Sequence, residues 1–411
     1  MQAFDPRPVR AAAFQALFFL AGPGSLEGAQ LLWARAGVAP LVPMLPASTH
    51  AVLQLVGGFL TLIFAFLAHG VPHLLGLDLE KSARARFAIR AVGALLLLEV
   101  GAELAHAPTL VLFARALLVV AALAFLGLLV AARLPRDHDF ARAPVPALLV
   151  ALALVPVGLL LWTWEARGGP AGLASDLLLY GCVVPVILSM GFQMFASMLR
   201  LPEGKDGIFF VAMLAWALGA AVRVLARVEP ELLGLHAPLL LLGALLWLLA
   251  MNGLRRRKDG PVLPTPPSPF LRTHIVVAVA TLALGSALGG VGSTWPRLGG
   301  PPLLDDLSRH LIALGFVLHV TMGVTLTVLP RFCRGRPSSP PWAWATVAAA
   351  LLGLALRAVE ALGGAPSLAS GSAVLSWAAV LSWALHLGRG LLASASDPGP
   401  NGGGLAESTR R

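Results

Sequence analysis

Charged residues are scarce in this sequence: they make up 12% of the 411 residues, whereas hydrophobic residues make up 57%. A soluble domain usually carries about twice that share of charge. Apolar runs recur along the whole chain between short connections rich in glycine, proline and arginine. Because a hydrocarbon core about 30 Å thick needs roughly 20 apolar residues per helix, these runs predict transmembrane helices. Their continuity argues against the two-residue alternation of a membrane barrel, so we expect an all-α polytopic membrane protein.

Cysteine is nearly missing, with only Cys182 and Cys333 in the chain. The predicted topology puts these two on opposite halves of the membrane, so we expect no disulfide. The sequence also lacks a Cys-x-x-Cys-His motif, which excludes covalent c-type haem attachment. The net charge of +10 comes from basic residues at helix ends rather than from one patch. We therefore expect no nucleic-acid partner.

The apolar runs predict about 12 transmembrane helices in a single domain over residues 1–392. Helices 1–8 end near residue 252, a basic and proline-rich linker covers 253–272, and helices 9–12 extend to about residue 391. The tail 393–411 is rich in glycine, serine and proline and is expected to be disordered in the cytoplasm. The predicted helices are about 10–33, 49–71, 87–105, 109–131, 144–164, 175–199, 207–226, 234–252, 273–293, 308–330, 342–363 and 369–391.

Positive charge predicts the orientation of the chain, since cytoplasmic loops are enriched in lysine and arginine. The two termini and the loops after helices 2, 4, 6, 8 and 10 hold 21 of the 30 basic residues, and the opposite loops hold five. Both termini are therefore expected in the cytoplasm, which requires an even number of helices.

Histidines at membrane depth are the first candidate functional residues, because ionisable side chains there are costly. His50 opens helix 2 and His310 opens helix 10 at the same predicted depth. Two neutral imidazoles from separate helices are what bis-histidine haem ligation needs. Nine residues separate His319 from His310, so the two point about 180° apart and cannot face one haem pocket together. Gln54, one turn from His50, is expected to face the same pocket.

Two further sets of side chains are candidate metal ligands. His69 and His73 lie four residues apart on one helix face, although Pro72 lies between them and helix-end histidines at the inner interface are the alternative. Glu99, Glu103 and His106 share a face of helix 3, where they are candidates for metal binding or proton relay at the outer side. The alternative is that Glu103 and His106 lie in the headgroup region.

Several arginines lie near the outer ends of helices, where the positive-inside rule disfavours them. Specific pairing, for example with haem propionates, is one explanation; snorkelling to lipid phosphates is the other. These residues are Arg115, Arg223, Arg297, Arg309 and Arg357. Helices 6 and 7 contain no histidine, so a haem–copper oxidase binuclear centre is not expected.

Three stretches carry a family resemblance. They are HAVLQLVGGFL from His50 with the later Pro72, GFQMF from Gly191, and RHLIALGF from Arg309 with the following Met322-Gly323, VLPRF from Val328 and Gly335-Arg336. They resemble the NnrS family, whose members look like distant relatives of haem–copper oxidase subunit I. The family often has a second histidine two residues after the first, where this chain has Val52. It also often has a basic residue where this chain has Gln193.

The resemblance implies a subunit-I-like bundle in the bacterial inner (plasma) membrane, with non-covalent b-type haem and copper as a second candidate cofactor. It implies a role in nitric oxide metabolism or nitrosative stress resistance, with nitric oxide or a related small molecule as ligand. His50 and His310 would be the axial ligands, His319 the substitute for His310, and Gln54 and Arg309 neighbours of the cofactor.

Two other classes of function stay open from the sequence. One is a proton-coupled transporter of a small solute that uses Glu99 and Glu103, although no inverted repeat is apparent. The other is a non-catalytic scaffold subunit of an electron-transfer complex. Whether the chain is an enzyme, and its oligomeric state, are left open.

Overall fold

The computed structural model describes residues 7–65, 83–131, 144–199, 201–202, 204–252, 269–294, 303–332 and 340–396. Within these ranges the chain forms twelve α-helical stretches, a short 3₁₀ turn over Pro230–Gly234 and no strand. They are α1 (7–35), α2 (47–65), α3 (Ala83–Leu104), α4 (Pro108–Ala131), α5 (Pro144–Glu165), α6 (173–199), α7 (Asp206–Leu225), α8 (His236–Ala250), α9 (Pro269–Thr294), α10 (304–332), α11 (Pro340–Ala361) and α12 (Ser367–Ser396).

Ten of these helices are long and apolar enough to cross a membrane, which makes the chain a polytopic α-helical membrane protein. Each of the twelve segments expected from the sequence contains a helix, but α3 and α8 are not among the ten. α3 carries five charged residues, and α8 has 15 residues, a length of about 22 Å at 1.5 Å per residue. The count of twelve spans and the oxidase-like arrangement remain predictions.

The ends of the helices follow from local sequence. Proline, whose missing N–H costs nothing in a first turn, is the first residue of α4, α5, α9 and α11. Gly363, just after α11, has a φ of +102°, a left-handed conformation that ends a helix and that side chains disfavour. Two bounds differ from the prediction: α9 already begins at Pro269 and α12 continues to Ser396, so the expected linker and tail are shorter. The remainder of both, 253–268 and 397–411, lies outside the described residues.

The centre of the bundle is formed by α1, α2, α6 and α10. Between 56% and 89% of their spanning windows is buried, against 33–50% for the other six candidate spans. Each of the four also contains a π-helical segment, a wider turn that is rare and often found at functional sites. The segments are Leu20–Gly24, Leu53–Leu60, Leu177–Val183 and Leu311–Leu318.

Side-chain N–H groups from other helices donate to backbone carbonyls of two of these π segments. Pro185 has no N–H, so the carbonyl of Tyr180 five residues earlier cannot receive a π-type bond from it. The indole Nε1 of Trp216 donates to that carbonyl instead, at 2.8 Å. In α1, where Pro23 follows the non-helical Gly22, Nε1 of Trp377 donates to the carbonyl of Ala21 at 2.9 Å. The irregular turns thus tie α6 to α7 and α1 to α12.

One large apolar core extends through helices from both sides of the 253–268 segment, from Val9 in α1 to Leu391 in α12. Outer faces of the peripheral helices instead expose large apolar side chains, such as Phe113 and Val130 in α4. Exposed apolar surface of this extent is unfavourable in water and is expected for a chain surrounded by lipid.

Candidate functional site

A cavity of about 1710 Å³ lies at the end of the bundle where α1 ends and where α2 and α10 begin. We call it the polar cavity. It is the end that the charge distribution predicts to be outside. Four side chains expected near a cofactor line it: His50, Gln54, Arg309 and His310. Its wall also contains apolar residues from several helices, including Leu55, Val111, Leu179 and Trp377.

His50 is held in the cavity wall by α1. Its Nδ1 donates to the carbonyl of Gly24, at 2.7 Å, at the end of the first π segment. Because a carbonyl can only accept, Nδ1 must carry the proton and Nε2 keeps its lone pair. Gly28, one turn on in α1, lies directly against the ring, and a Cβ at that position would collide with Cε1 of His50. Two glycines of α1 therefore set the place and the tautomer of this imidazole.

His310 has the same arrangement on α10. Its Nδ1 donates to the carbonyl of Asp306, one turn earlier, at 2.8 Å, and lies 3.5 Å from the carboxylate of that residue. In its neutral form the ring therefore also presents Nε2 as a lone-pair nitrogen. His50 and His310 both line the polar cavity. The structure thus brings two ligand-ready imidazoles from separate central helices to one cavity.

Gln54 and Arg309 lie beside these histidines and are both engaged. The side-chain amide of Gln54 donates to Oγ of Ser25, at 3.3 Å. Arg309 pairs through Nη2 with Asp305 at 2.7 Å, and its Nε lies 3.5 Å from Asp176, while 28% of its side chain stays exposed. Arg309 is therefore both fixed and accessible from the cavity.

A buried ion cluster joins α6, α7 and α10 at this end of the bundle. Asp176 accepts from Nε of Arg223 at 3.1 Å and from Nε of Arg227 at 2.7 Å. Arg223, which is 1% exposed, also binds both carboxylate oxygens of Asp305. Nη1 of the same arginine lies 3.2 Å from Nε2 of His236. The partners of Arg223 are thus carboxylates of the protein rather than lipid phosphates.

A second ion cluster joins α1, α10 and α11. Arg357, only 2% exposed, pairs with Asp306 and with Glu360. Arg35 makes longer contacts with the same two carboxylates, 3.5 Å to Asp306 and 3.3 Å to Glu360. Arg35 and Arg357 both line the polar cavity.

The carboxylates predicted as metal ligands or proton relays on α3 are paired with an arginine. Nη2 of Arg115 lies 2.8 Å from Glu99 and 2.5 Å from Glu103, and its guanidinium stacks over the ring of Trp162. Glu103 also accepts from Oγ1 of Thr49 in α2. His106 ends the helix in an exposed turn at the cavity rim, with a φ of +53°. These residues hold α2, α3 and α4 together.

His319 lies elsewhere, as the helical periodicity of α10 predicts. It is fully buried and packs against His274 of α9, with 5.2 Å between ring centroids. Its Nδ1 donates to the carbonyl of Leu314, in the π segment that precedes it. His274 lies in the core one turn inside α9, which begins at Pro269.

Four residues singled out from the sequence lie outside the described residues: His69, His73, Arg297 and Cys333. Among the residues that the structure describes, no group of three or more His, Cys, Asp or Glu side chains has the arrangement of a metal site.

Sequence reasoning missed the acidic partners of the outer arginines. Asp176 and Asp305 complete the first cluster, and the buried Glu27 accepts from the backbone N–H of Leu45 at 2.7 Å and from Gln30 at 3.0 Å. The available signal was that these carboxylates and the arginines occur at the same predicted ends of helices. Opposite charges at one depth favour internal pairing over lipid contacts.

Comparison of the chain with protein-family models gave no match, and neither did comparison with curated proteins.

Proposed function

We propose that this membrane protein binds b-type haem in the polar cavity, with His50 and His310 as axial ligands, and acts in nitric oxide metabolism or nitrosative stress resistance. One observation carries the haem proposal. Two imidazoles from separate helices line one cavity, and each is tethered through Nδ1 to a backbone carbonyl, at 2.7 and 2.8 Å. A histidine that binds a metal commonly has its other ring nitrogen held in this way.

The polar cavity also suits the other parts of a haem. Its apolar residues provide the low-polarity wall that a porphyrin face needs. Arg35 and Arg309 have 34% and 28% of their side chains exposed, and the contacts of Arg35 with carboxylates are long. Guanidinium groups that are accessible but already oriented are suited to binding the two anionic propionates. Gln54 adds a polar group one turn from His50.

Bound haem would supply an iron centre for electron transfer or for binding a diatomic ligand, with properties set by its axial ligands and burial. The link to nitric oxide rests on the NnrS resemblance of the stretches around His50, Gly191 and Arg309. Copper as a further cofactor rests on the same resemblance.

Removal of each imidazole tests the haem proposal. In protein purified from haem-replete cells, the His50→Gly and His310→Gly variants should each show much less Soret absorbance per chain or a Soret band at a shifted wavelength. Free imidazole added during purification should restore a six-coordinate spectrum, which a purely structural histidine would not allow. His386→Ala is the matched control, since His386 of α12 stacks on Trp342 of α11 and does not line the cavity. An unchanged spectrum in both glycine variants would refute the assignment.

A proton-coupled transporter is the second candidate, because the cavity is large enough for a small solute and Glu103 lies in its wall. Arg115 already neutralises part of the charge on Glu99 and Glu103, which weakens the case for proton coupling. Glu103→Gln should abolish uptake if this candidate is correct, while the purified protein would show featureless visible absorbance. Co-purification with partner subunits would favour the scaffold alternative.

A further inference from the structure

Two glutamates of α3 share a single arginine of α4. Nη2 of Arg115 lies 2.8 Å from Oε1 of Glu99 and 2.5 Å from Oε1 of Glu103, so one nitrogen atom serves both carboxylates. Glu99 is 0% exposed and Arg115 is 2% exposed. With both carboxylates ionised, the group would hold two negative charges and one positive charge away from water. We call these three residues the shared-arginine cluster.

One carboxylate oxygen of the cluster has no donor. Nε and Nη2 of Arg115 both donate to Oε1 of Glu99, at 3.1 and 2.8 Å, and Nη1 donates to the carbonyl of Trp162 at 3.1 Å. Oε2 of Glu99 is buried and has no hydrogen-bond partner. A buried carboxylate oxygen without a donor is costly when it carries charge, and such exceptions call for an explanation. The uncharged acid form of Glu99 would avoid that cost.

The helices beside α3 bring no second cation to the cluster. α2 contains no Asp, Glu, Lys or Arg, and Arg115 is the only charged residue of α4. The only charged residue of α5 is Glu165, which is acidic and accepts from the backbone N–H of Ala174 at 2.6 Å. The contribution of α2 is the hydroxyl of Thr49, which donates to Glu103, and the imidazole of His50, which is engaged with α1.

The charged residues of α1 and α3 do not balance the cluster either. At this end of α1, Glu27 is itself acidic, and Arg35 is engaged with the carboxylates of the second ion cluster. The last arginine of α3, Arg90, precedes Glu99 by nine residues, which is about 13 Å along a helix. His106 lies in the exposed turn at the cavity rim. The cluster therefore keeps one uncompensated negative charge unless it binds a proton.

We propose that Glu99 and Glu103 hold one proton between them at neutral pH, and that Glu103 exchanges this proton with the polar cavity. Two carboxylates that share one site commonly retain a proton. One proton makes the cluster neutral, with Arg115 balancing the remaining carboxylate. A metal ion in place of the proton is disfavoured, because the guanidinium would repel it.

Glu103 provides the connection to the cavity. It lines the polar cavity and has 10% of its side chain exposed, whereas Glu99 does not line it. On release, the O–H bond of the acid breaks while a bond from the same proton forms to a lone pair of a molecule in the cavity. The carboxylate stays behind, paired with Arg115 and Thr49. The cavity thus has a proton donor in its own wall, whether or not haem is bound.

Infrared spectroscopy tests the proposal, because a protonated carboxyl group and a carboxylate absorb in separate bands. Spectra are recorded at neutral pH on the full chain in detergent, without added haem. Subtracting the Glu99→Gln or the Glu103→Gln spectrum from that of the wild type should leave a protonated-carboxyl band of about one group per chain. Either substitution removes the band, since the carboxylate that remains is balanced by Arg115 and ionises.

Glu360→Gln is the matched control. Glu360 is also buried, but its cluster has two arginines, Arg35 and Arg357, for two carboxylates, Glu360 and Asp306. Its difference spectrum should therefore contain carboxylate bands alone. Thermal unfolding of each variant checks folding. Glutamine has nearly the shape of glutamate, and Glu103→Gln, at the partly exposed position, gives the test independently of Glu99→Gln.

Exchange with the cavity is tested by transfer into D₂O, which should shift the whole band within the time of mixing. Difference spectra with carboxylate bands alone for Glu99→Gln and Glu103→Gln would overturn the proposal. A band that persists in Glu103→Gln would show that burial of Glu99 alone holds the proton, and a band that shifts only over hours would contradict exchange through the cavity. Because the protein is measured without haem, failure here is distinguishable from failure of the haem proposal.

Discussion

At the scale of single residues, the position of His50 depends on side chains that are missing from α1. Gly24 provides the carbonyl that fixes its tautomer, and Gly28 leaves the space that its ring fills. A methyl group at position 28 would collide with the imidazole, although alanine itself is a better helix former than glycine.

Gly28→Ala should therefore reduce haem content several-fold without destabilising α1. Gly127→Ala is the control, since a Cβ at that position in α4 meets no atom within 4 Å. The Soret absorbance per chain measures both variants. Equal haem content in the two would show that the contact between Gly28 and His50 is not needed for binding.

Arg223 is buried, and its positive charge balances the negative charges of Asp176 and Asp305. Arg223→Met should destabilise the protein by about 3–5 kcal/mol, because it leaves Asp176 without one of its main partners. Arg35→Met should cost less than about 1 kcal/mol, since Arg35 is one-third exposed. Thermal unfolding in detergent compares the two. Similar losses of stability for both would contradict the buried-cluster account.

Helical periodicity predicted that His310 and His319 lie apart, but it did not predict the contact between His274 and His319. The nine-residue separation puts His319 on a different side of α10 from His310, and the two do lie in different places. The approach of His274 to His319 could not be predicted, because it depends on how α9 packs against Gly323. Contacts between helices follow from packing, which a single helical pattern does not contain.

At the scale of elements, the π segments depend on donors from other helices. Apolar run lengths were enough to place helices in all twelve predicted segments. They could not predict a wider turn, because its freed carbonyl is stabilised by a partner distant in sequence. The carbonyl of Tyr180, for example, needs the indole of Trp216, 36 residues later.

Trp216→Phe should cost about 1–3 kcal/mol beyond the loss of packing, because it leaves this buried carbonyl unsatisfied. Trp164→Phe provides the comparison, since Trp164 of α5 is 48% exposed and should change stability by less than about 0.5 kcal/mol. The measured quantity is the unfolding temperature of each purified variant. A Trp216→Phe protein as stable as the wild type would show that the indole is not needed to stabilise the π segment.

At the scale of the whole molecule, the number of spans decides the sides of the membrane on which the loops lie. The positive charges predict cytoplasmic termini and an outer loop between α7 and α8. α8 is too short to count among the ten candidate spans. Whether it crosses the bilayer therefore decides on which side of the membrane every later loop and the C-terminus lie.

Cysteine labelling tests that prediction in a chain whose two native cysteines are replaced by serine. With twelve spans, a cysteine at Glu231, in the exposed turn before α8, should react with an impermeant maleimide in spheroplasts. A cysteine at Ala406 should react only after permeabilisation. Labelling of both from the same side would mean that α8 does not cross the bilayer.

The sequence indicated two histidines at one depth, but the cavity between them arises only from assembly of the whole bundle. Residues from α1, α2, α10, α11 and α12, separated by up to about 350 positions, meet in its wall. The ion clusters that surround it likewise join helices distant in sequence. Periodicity and charge counts describe one helix at a time and cannot specify such convergence.

The absorption spectrum of the purified wild-type chain, combined with haem quantification, tests the central claim most directly. Binding in the polar cavity predicts about one non-covalent haem per chain and a Soret band whose position shifts when nitric oxide is added under anaerobic conditions. A colourless protein from haem-replete cells, still folded by thermal unfolding, would contradict the account.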